Sequence, residues 1–165
     1  MLVNGKELNL KENIGRIILL SLMVLTVGFI FTQSLLSRET SGEESAAVSG
    51  WLSNIFPTST ALGAFIFDNI RKIAHFIEFG ILGTEFSLYA LLYSKEKIKG
   101  LLCVLPASFC VAFLDETLQI FSGRGPSIAD VWLDFFGALT FSAICFTFYF
   151  LALKLTLKLS KKRKE

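Results

Sequence analysis

Four long apolar runs limit what this chain can fold into more than any other feature of its sequence. They extend over about residues 14–32, 73–93, 98–121 and 131–153. Each run is close to the roughly 20 residues that a helix needs to cross a hydrocarbon core about 30 Å thick. Within lipid, a helix also satisfies its own backbone hydrogen bonds. The sequence therefore predicts an all-α integral membrane bundle of four transmembrane helices.

The composition favours a membrane protein over a soluble one. Hydrophobic residues make up 53% of the 165 residues and charged residues only 18%, whereas a soluble domain carries about 25% charged residues. A chain of this length suits one bundle rather than several domains. The three cysteines, Cys103, Cys110 and Cys145, lie in apolar runs without a CxxC pair. We therefore expect small buried apolar residues there, and neither a disulfide framework nor a zinc site.

The segments between the spans predict how the helices are connected. Residues 94–97 and 122–127 are short connections, so the second, third and fourth spans should be antiparallel neighbours. The connection over 33–69 is longer, and apolar residues recur at helical spacing between Val48 and Phe56, before Pro57. That pattern predicts an extracellular loop or an interfacial segment. We divide the chain into an N-terminal segment (1–13), a membrane domain (14–153) and a basic tail (154–165).

The distribution of basic residues predicts the orientation in the membrane. Of the 16 Lys and Arg residues, 12 lie before or at the start of the first span, between the second span and the start of the third, or after the fourth. Positive charge accumulates in cytoplasmic segments. We therefore expect a multi-pass protein of the cell membrane with both termini in the cytoplasm and the long first connection outside.

Nine ionisable residues and one glutamine at the outer ends of three spans form the candidate site. An ionisable side chain in a span costs several kcal/mol unless it is paired or hydrated, so it marks a functional site by default. Because the three helices alternate in direction, we expect all these residues near one depth, within one ligand-binding site. For any single residue, the simpler interpretation is that it belongs to an ion-pair network that only holds the helical hairpins together. The ten residues are Arg71, Lys72, His75, Glu78, Asp115, Glu116, Gln119, Arg124, Asp130 and Asp134.

Two functions of different classes fit this set. Arg71, Lys72 and Arg124 suit phosphate, which predicts binding of a membrane lipid or a lipid-linked cell-wall precursor, with no nucleic acid as partner. The alternative is an intramembrane hydrolase or transferase that acts on a lipid-linked substrate, so the sequence leaves open whether the protein is an enzyme. Transport is a third hypothesis, for which four helices leave little room.

The candidate catalytic residues of the enzyme alternative are His75, Glu78, Asp115 and Asp130. His75, oriented by Glu78, would be a general base or nucleophile, and Asp115 and Asp130 would be acids or metal ligands. The sequence does not require a cofactor or a metal. These four residues are nevertheless able to hold a divalent cation, although a single histidine makes a weak case for zinc. Glu85, deeper in the second span, has no assigned role.

Two segments resemble signatures of the VanZ-like family. The stretch from Lys72 to Gly83, KIAHFIEFGILG, resembles the first signature. The stretch Asp115-Glu116-Thr117-Leu118-Gln119 resembles the second signature. The residues Phe121, Gly123, Arg124, Asp130 and Gly137 that follow it also match this signature. The region from Ser34 to Ser49, after Phe31, is similar to the serine-rich loop that follows the family's first helix. Asp134 departs from the pattern, because the family often has an amide residue there.

The resemblance implies a small polytopic membrane protein of the cell envelope, typical of Gram-positive bacteria. The family takes its name from an accessory protein that raises resistance to teicoplanin, a glycopeptide antibiotic with a lipid tail. The resemblance therefore implies a contribution to antibiotic resistance of the teicoplanin type, with a lipoglycopeptide as a second kind of partner. It does not settle a biochemical activity.

Overall fold

Six α-helices build the computed structural model, which describes residues 2–162. They are α1 (Leu2–Leu35), α2 (Arg38–Leu52), α3 (Ala61–Asp68), α4 (Ile70–Tyr93), α5 (Lys97–Leu118) and α6 (Ile128–Lys162). No strand occurs in this part of the chain. Within it, four helices are long and apolar enough to cross a membrane: residues Leu10–Leu35 of α1, together with α4, α5 and α6. The prediction of an all-α bundle with four spans is confirmed.

Helix α4 lies at the centre of the bundle and packs against α1, α5 and, most extensively, α6. Glycines allow α4 and α6 to approach closely. A Cβ atom on Gly83 would overlap the carbonyl group of Ala138, and one on Gly137 would overlap that of Phe76. The Ser142 hydroxyl also donates a hydrogen bond of 3.0 Å to the Gly83 carbonyl. Small residues favour such close packing in lipid, where helices associate mainly through van der Waals contact.

A tight turn over residues 119–127 joins α5 to α6. It passes through Gly123, whose φ of 69° lies in the left-handed region that glycine adopts without strain. The Ser127 amide donates to Glu116 Oε2 at 2.8 Å, which ties the start of α6 to the end of α5. The Asp130 amide donates to Ser127 Oγ at 3.3 Å in the first turn of α6. The predicted hairpin is therefore present.

Because of these connections, α1 and α5 end at the same end of the bundle at which α4 and α6 begin. We call this end, with residues 33–36, 69–78 and 115–134, the charged end. The lysines that close α6, from Lys154 to Lys162, are exposed at the opposite end.

The long first connection is more helical than the sequence predicts. The apolar pattern that starts at Val48 covers the end of α2 and the residues up to Phe56 that follow it, but this helix already begins at Arg38. Ser37 caps it, because its Oγ accepts a hydrogen bond of 3.2 Å from the Thr40 amide. Glu39 in the first turn suits the helix dipole. The polar stretch that reads as a loop therefore has its own helix start signal.

One further expectation changes. Cys103 and Cys110 are exposed and Cys145 is half-buried, so the expected burial is wrong for the first two. The outer faces of membrane helices meet lipid, so an apolar position need not lie inside the protein. The terminal segments continue the helices, since α1 begins at Leu2 and α6 runs to Lys162. Met1 and residues 163–165 of those segments lie outside the described residues.

Candidate functional site

Two adjoining cavities open at the charged end. The first, of about 340 Å³, lies between α4, the end of α5 and the start of α6, and we call it the α6 cavity. The second, of about 450 Å³, lies between α1, α2 and α4, and we call it the α2 cavity. Ser45, Ile70, Arg71, His75 and Arg124 line both cavities. A ligand in either one would therefore meet the same imidazole and the same two guanidinium groups.

The structure brings the ten predicted site residues to this one end. Eight of them line the α6 cavity: Arg71, Lys72, His75, Glu116, Gln119, Arg124, Asp130 and Asp134. Glu78 lines the α2 cavity instead. Asp115 lines neither, because it is fully buried behind His75. The residues that the sequence singles out therefore lie together at one end, but the sequence does not separate the residues of the cavity wall from those buried beneath it.

His75 faces two buried carboxylates. Its Nδ1 atom lies 3.8 Å from Asp115 Oδ2 and 3.8 Å from Asp134 Oδ1, and its side chain is only 12% exposed. The glycine packing of α4 on α6 explains the second distance. Gly137 lies against the backbone of Phe76, one residue after His75, and Asp134 precedes Gly137 by about one helical turn. The close helix contact thus places Asp134 opposite His75.

A hydroxyl group of α1 fixes Asp115 from the other side. Ser34 Oγ donates a hydrogen bond of 2.6 Å to Asp115 Oδ1, and both residues are 0% exposed. Gln119 Nε2 lies 3.5 Å from the second oxygen, Oδ2. Ser34 was not among the predicted site residues. The signal that points to it is its place immediately after an apolar run that ends at the charged end.

Gln119 connects a cation to the carboxylates. Its Nε2 donates to Glu116 Oε1 at 2.5 Å, while its Oε1 accepts from Arg71 Nη2 at 3.0 Å. Because the Ser127 amide holds the other oxygen of Glu116, this chain of hydrogen bonds runs from the turn to the start of α4. It holds the Arg71 guanidinium against the wall of the α6 cavity.

Glu78 does not have the surroundings that the sequence suggests, and Glu85, which had no assigned role, belongs to a different contact. Within residues 2–162, His75 makes its polar contacts with Asp115 and Asp134 and not with Glu78, so the expectation that Glu78 orients His75 is wrong. The packing of α6 draws His75 towards Asp134, and Glu78 faces the α2 cavity. Glu85 accepts a hydrogen bond of 2.9 Å from Thr26 Oγ1, so it belongs to the contact between α1 and α4.

Both signs of charge line the α6 cavity. The cations are Arg71, Lys72 and Arg124, and the carboxylates are Asp68, Glu116, Asp130 and Asp134. Arg124 is only 5% exposed. This mixture differs from a purely basic phosphate site, and it suits a ligand that brings an anionic group and a cation together.

Helices α2 and α3 supply lining residues that sequence reasoning missed. From α2, Ser41, Glu44, Ser45, Ala47 and Val48 line the α2 cavity. Asp68 and Asn69, where α3 meets α4, line the α6 cavity. Their sequence signal is weak, because α2 exposes most of its residues and its polar face resembles a solvated surface.

Three of the charged-end residues bring potential metal-ligand atoms close together. One donor atom each from His75, Asp115 and Asp134 lies within 4.8 Å of the other two. The set expected from the sequence also included Glu78 and Asp130, whereas the structure groups His75 and Asp115 with Asp134.

Comparison with known proteins identifies the family. The profile of the VanZ/LLP1 family matches residues 17–151, which includes all ten predicted site residues and parts of all four candidate spans. No curated protein and no solved structure matches the chain. The chain belongs to the VanZ/LLP1 family, and its four apolar helices fit a multi-pass membrane protein.

Proposed function

We propose that this protein binds the phosphate-bearing headgroup of a membrane lipid or a lipid-linked cell-wall precursor at the outer face of the cell membrane. The observation that carries the proposal is that Arg71 and Arg124 line both cavities of the charged end. A guanidinium group donates paired hydrogen bonds to phosphate oxygens. Lys72, which is exposed, adds a third cation at the α6 cavity.

The depth of the cavities supports a ligand that stays anchored in lipid. They lie at the first turns of α4 and α6 and the last turns of α5, which are the ends of candidate spans. Beside them, α2 and α3 expose large apolar side chains, among them Trp51, Leu62 and Phe65. Such side chains are typical of segments that lie in the membrane interface. A headgroup could enter a cavity here while its hydrocarbon chain stays in the bilayer.

The proposed orientation puts both termini in the cytoplasm and the charged end outside. It rests on the 12 of 16 basic residues that the sequence assigns to one side. The exposed lysines from Lys154 to Lys162 lie at the end of the bundle opposite the cavities.

The binding proposal is tested with a lipid pair that differs only in its phosphate. The full chain in nanodiscs is titrated with a polyprenyl phosphate and with the matching polyprenol. We expect the phosphate form to bind more tightly, and Arg71→Gln to weaken it by roughly 10-fold or more, since a hydrogen bond between charged groups contributes about 1.5–3 kcal/mol. Lys72 and Lys95 are exposed lysines at opposite ends of the bundle, so Lys72→Gln and Lys95→Gln are matched variants. Only Lys72→Gln should weaken binding. Equal binding of the two lipids, or equal effects of the two lysine variants, would refute the proposal.

We also propose that a lipid-tailed glycopeptide of the teicoplanin type is a second ligand. The family resemblance supports the class of drug, and only a tailed drug lodges at the depth of the cavities. Expression should therefore change sensitivity to a tailed glycopeptide more than to a tailless one. Arg124→Ala should remove that difference and Lys95→Ala should keep it, with protein abundance measured in each strain. An equal shift for both drugs would contradict this part of the proposal.

A second candidate function is an intramembrane hydrolase or transferase. The observation that favours it is the position of His75, which lines both cavities and has two buried carboxylates within 3.8 Å of Nδ1. A histidine beside a carboxylate is the usual arrangement of a general base. Turnover of the bound polyprenyl phosphate, measured as released inorganic phosphate and abolished in His75→Gln, would favour the enzyme. Saturable binding without turnover would favour the binding protein.

A further inference from the structure

We propose that His75, Asp115 and Asp134 form a binding site for a divalent cation of a first-row transition metal. The three residues come from α4, α5 and α6, and one donor atom of each lies within 4.8 Å of the other two. The proposal concerns the metal alone, so it stands or falls independently of the lipid headgroup.

The surroundings of Asp134 are the first reason. Asp134 is 1% exposed, and neither of its carboxylate oxygens has a hydrogen-bond partner. A buried charge without a partner is costly, and buried carboxylates in proteins are paired or coordinate metals. Two buried carboxylates face one imidazole here, and the imidazole carries at most one positive charge. A divalent cation between the three side chains would compensate for this excess.

The orientation of Asp115 is the second reason. Ser34 Oγ holds Asp115 Oδ1 at 2.6 Å, and the other oxygen, Oδ2, faces His75. Hydrogen bonds that orient a ligating carboxylate are a regular feature of metal sites. Ser34 therefore holds Asp115 with one oxygen directed to the position of the proposed ion.

The two distances from His75 need only a small adjustment. His75 Nδ1 lies 3.8 Å from Asp115 Oδ2 and from Asp134 Oδ1. Ligands bonded to one ion at about 2.0–2.2 Å are about 3.0–3.5 Å apart. A shift of roughly half an ångström brings each His75 contact to this distance. The two carboxylate oxygens, which lie within 4.8 Å of each other, would approach further by side-chain rotation.

The donor set and its position indicate the class of ion. Carboxylates suit Mn²⁺ and Mg²⁺, whereas imidazole suits Zn²⁺ and its first-row neighbours. One nitrogen and two carboxylates therefore favour a first-row divalent ion over Mg²⁺ or Ca²⁺. Because His75 and Asp134 also line the α6 cavity, coordination positions beyond the three ligands would face that cavity.

The test uses Mn²⁺ as the probe. The full chain, purified without a histidine tag and stripped with a chelator, is titrated with Mn²⁺ while the signal of the free ion is followed by electron paramagnetic resonance. We expect one saturable site per chain and competition by Zn²⁺. Pulsed measurements should show a nitrogen coupling to the bound ion. His75 is the single histidine of the chain, so that coupling can be assigned.

Isosteric variants decide where the ion binds. Asp134→Asn should weaken Mn²⁺ binding by roughly 10-fold or more, and His75→Gln should remove the nitrogen coupling. Glu85→Gln is the matched control, because Glu85 is a buried carboxylate on α4 that lies away from the cavities and bonds to Thr26. It should bind Mn²⁺ as the wild type does.

Folding of the key variant can be checked in the same samples. Without metal, Asp134→Asn should be at least as thermally stable as the wild type, because it removes an unpartnered carboxylate, but Mn²⁺ should no longer stabilise it. Absence of saturable binding by the wild type, unchanged binding by Asp134→Asn, or bound Mn²⁺ without nitrogen coupling would each overturn the proposal.

Discussion

At the scale of single residues, the charged end depends on hydroxyl groups that no charge pattern reveals. Ser34 and Thr26, both on α1, donate to Asp115 and Glu85 on other helices. The carboxylates could be predicted because an ionisable residue stands out in an apolar run. Their partners could not, because Ser34 and Thr26 differ little from Thr32, whose hydroxyl bonds to Gly28 of its own helix. Which hydroxyl faces the bundle depends on the rotation of α1 about its axis.

This difference predicts unequal effects of two similar substitutions. Ser34→Ala should lower the free energy of unfolding by about 1–3 kcal/mol, because it leaves a buried acceptor oxygen of Asp115 without its donor. Thr32→Ala, two residues away on the same helix, should change it by no more than about 0.5 kcal/mol. Both values can be measured by unfolding the purified protein in mixed micelles. Equal losses would show that the Ser34 hydroxyl does not stabilise Asp115.

At the scale of helices, the contact between α4 and α6 sets the geometry of the site. The sequence predicts both spans and their shared end, but it does not show that Gly83 and Gly137 allow the two backbones to approach closely. Glycines that pack against a helix look the same in a sequence as those that do not. A Cβ atom on Gly28 of α1, for instance, would meet no atom of another helix within 4 Å.

Gly137 and Gly28 should therefore respond in opposite directions to alanine. Gly137→Ala places a methyl group against the Phe76 carbonyl, and such overpacking typically costs about 1–3 kcal/mol. Gly28→Ala should instead stabilise α1 by about 0.5–1 kcal/mol, since alanine favours a helix more than glycine. Thermal unfolding in detergent separates the two cases. A Gly137→Ala protein as stable as the wild type would mean that α4 and α6 lie further apart than described.

At the scale of the whole molecule, the spans and hairpins can be predicted from the sequence, whereas the position of α2 beside the site cannot. Apolar runs and short connections suffice to predict four helices and a shared charged end. The position of α2 beside the α2 cavity could not be predicted, because most of its residues are exposed and the few that line this cavity, such as Ser41 and Val48, form no distinct pattern in the sequence. The proposed orientation of the bundle likewise rests on charge bias alone.

That orientation predicts which sites a membrane-impermeant thiol reagent reaches. In a background with Cys103, Cys110 and Cys145 replaced, Glu43→Cys on the exposed face of α2 should react in intact cells. Lys158→Cys, exposed near the end of α6, should react only after lysis. The reverse pattern would place the charged end in the cytoplasm and would exclude a headgroup of the outer leaflet.

If the charged end of the bundle binds a phosphate headgroup, a photoreactive lipid phosphate should attach to that end. A polyprenyl phosphate with a photoreactive group beside its phosphate is incorporated with the full chain into nanodiscs, and the attachment sites are mapped by mass spectrometry. Headgroup binding at the charged end predicts adducts within residues 68–78 and 116–134, removed by excess unlabelled polyprenyl phosphate but not by polyprenol. Adducts near residues 95–99 at the opposite end, or spread over the lipid-facing helix surfaces without competition, would contradict it.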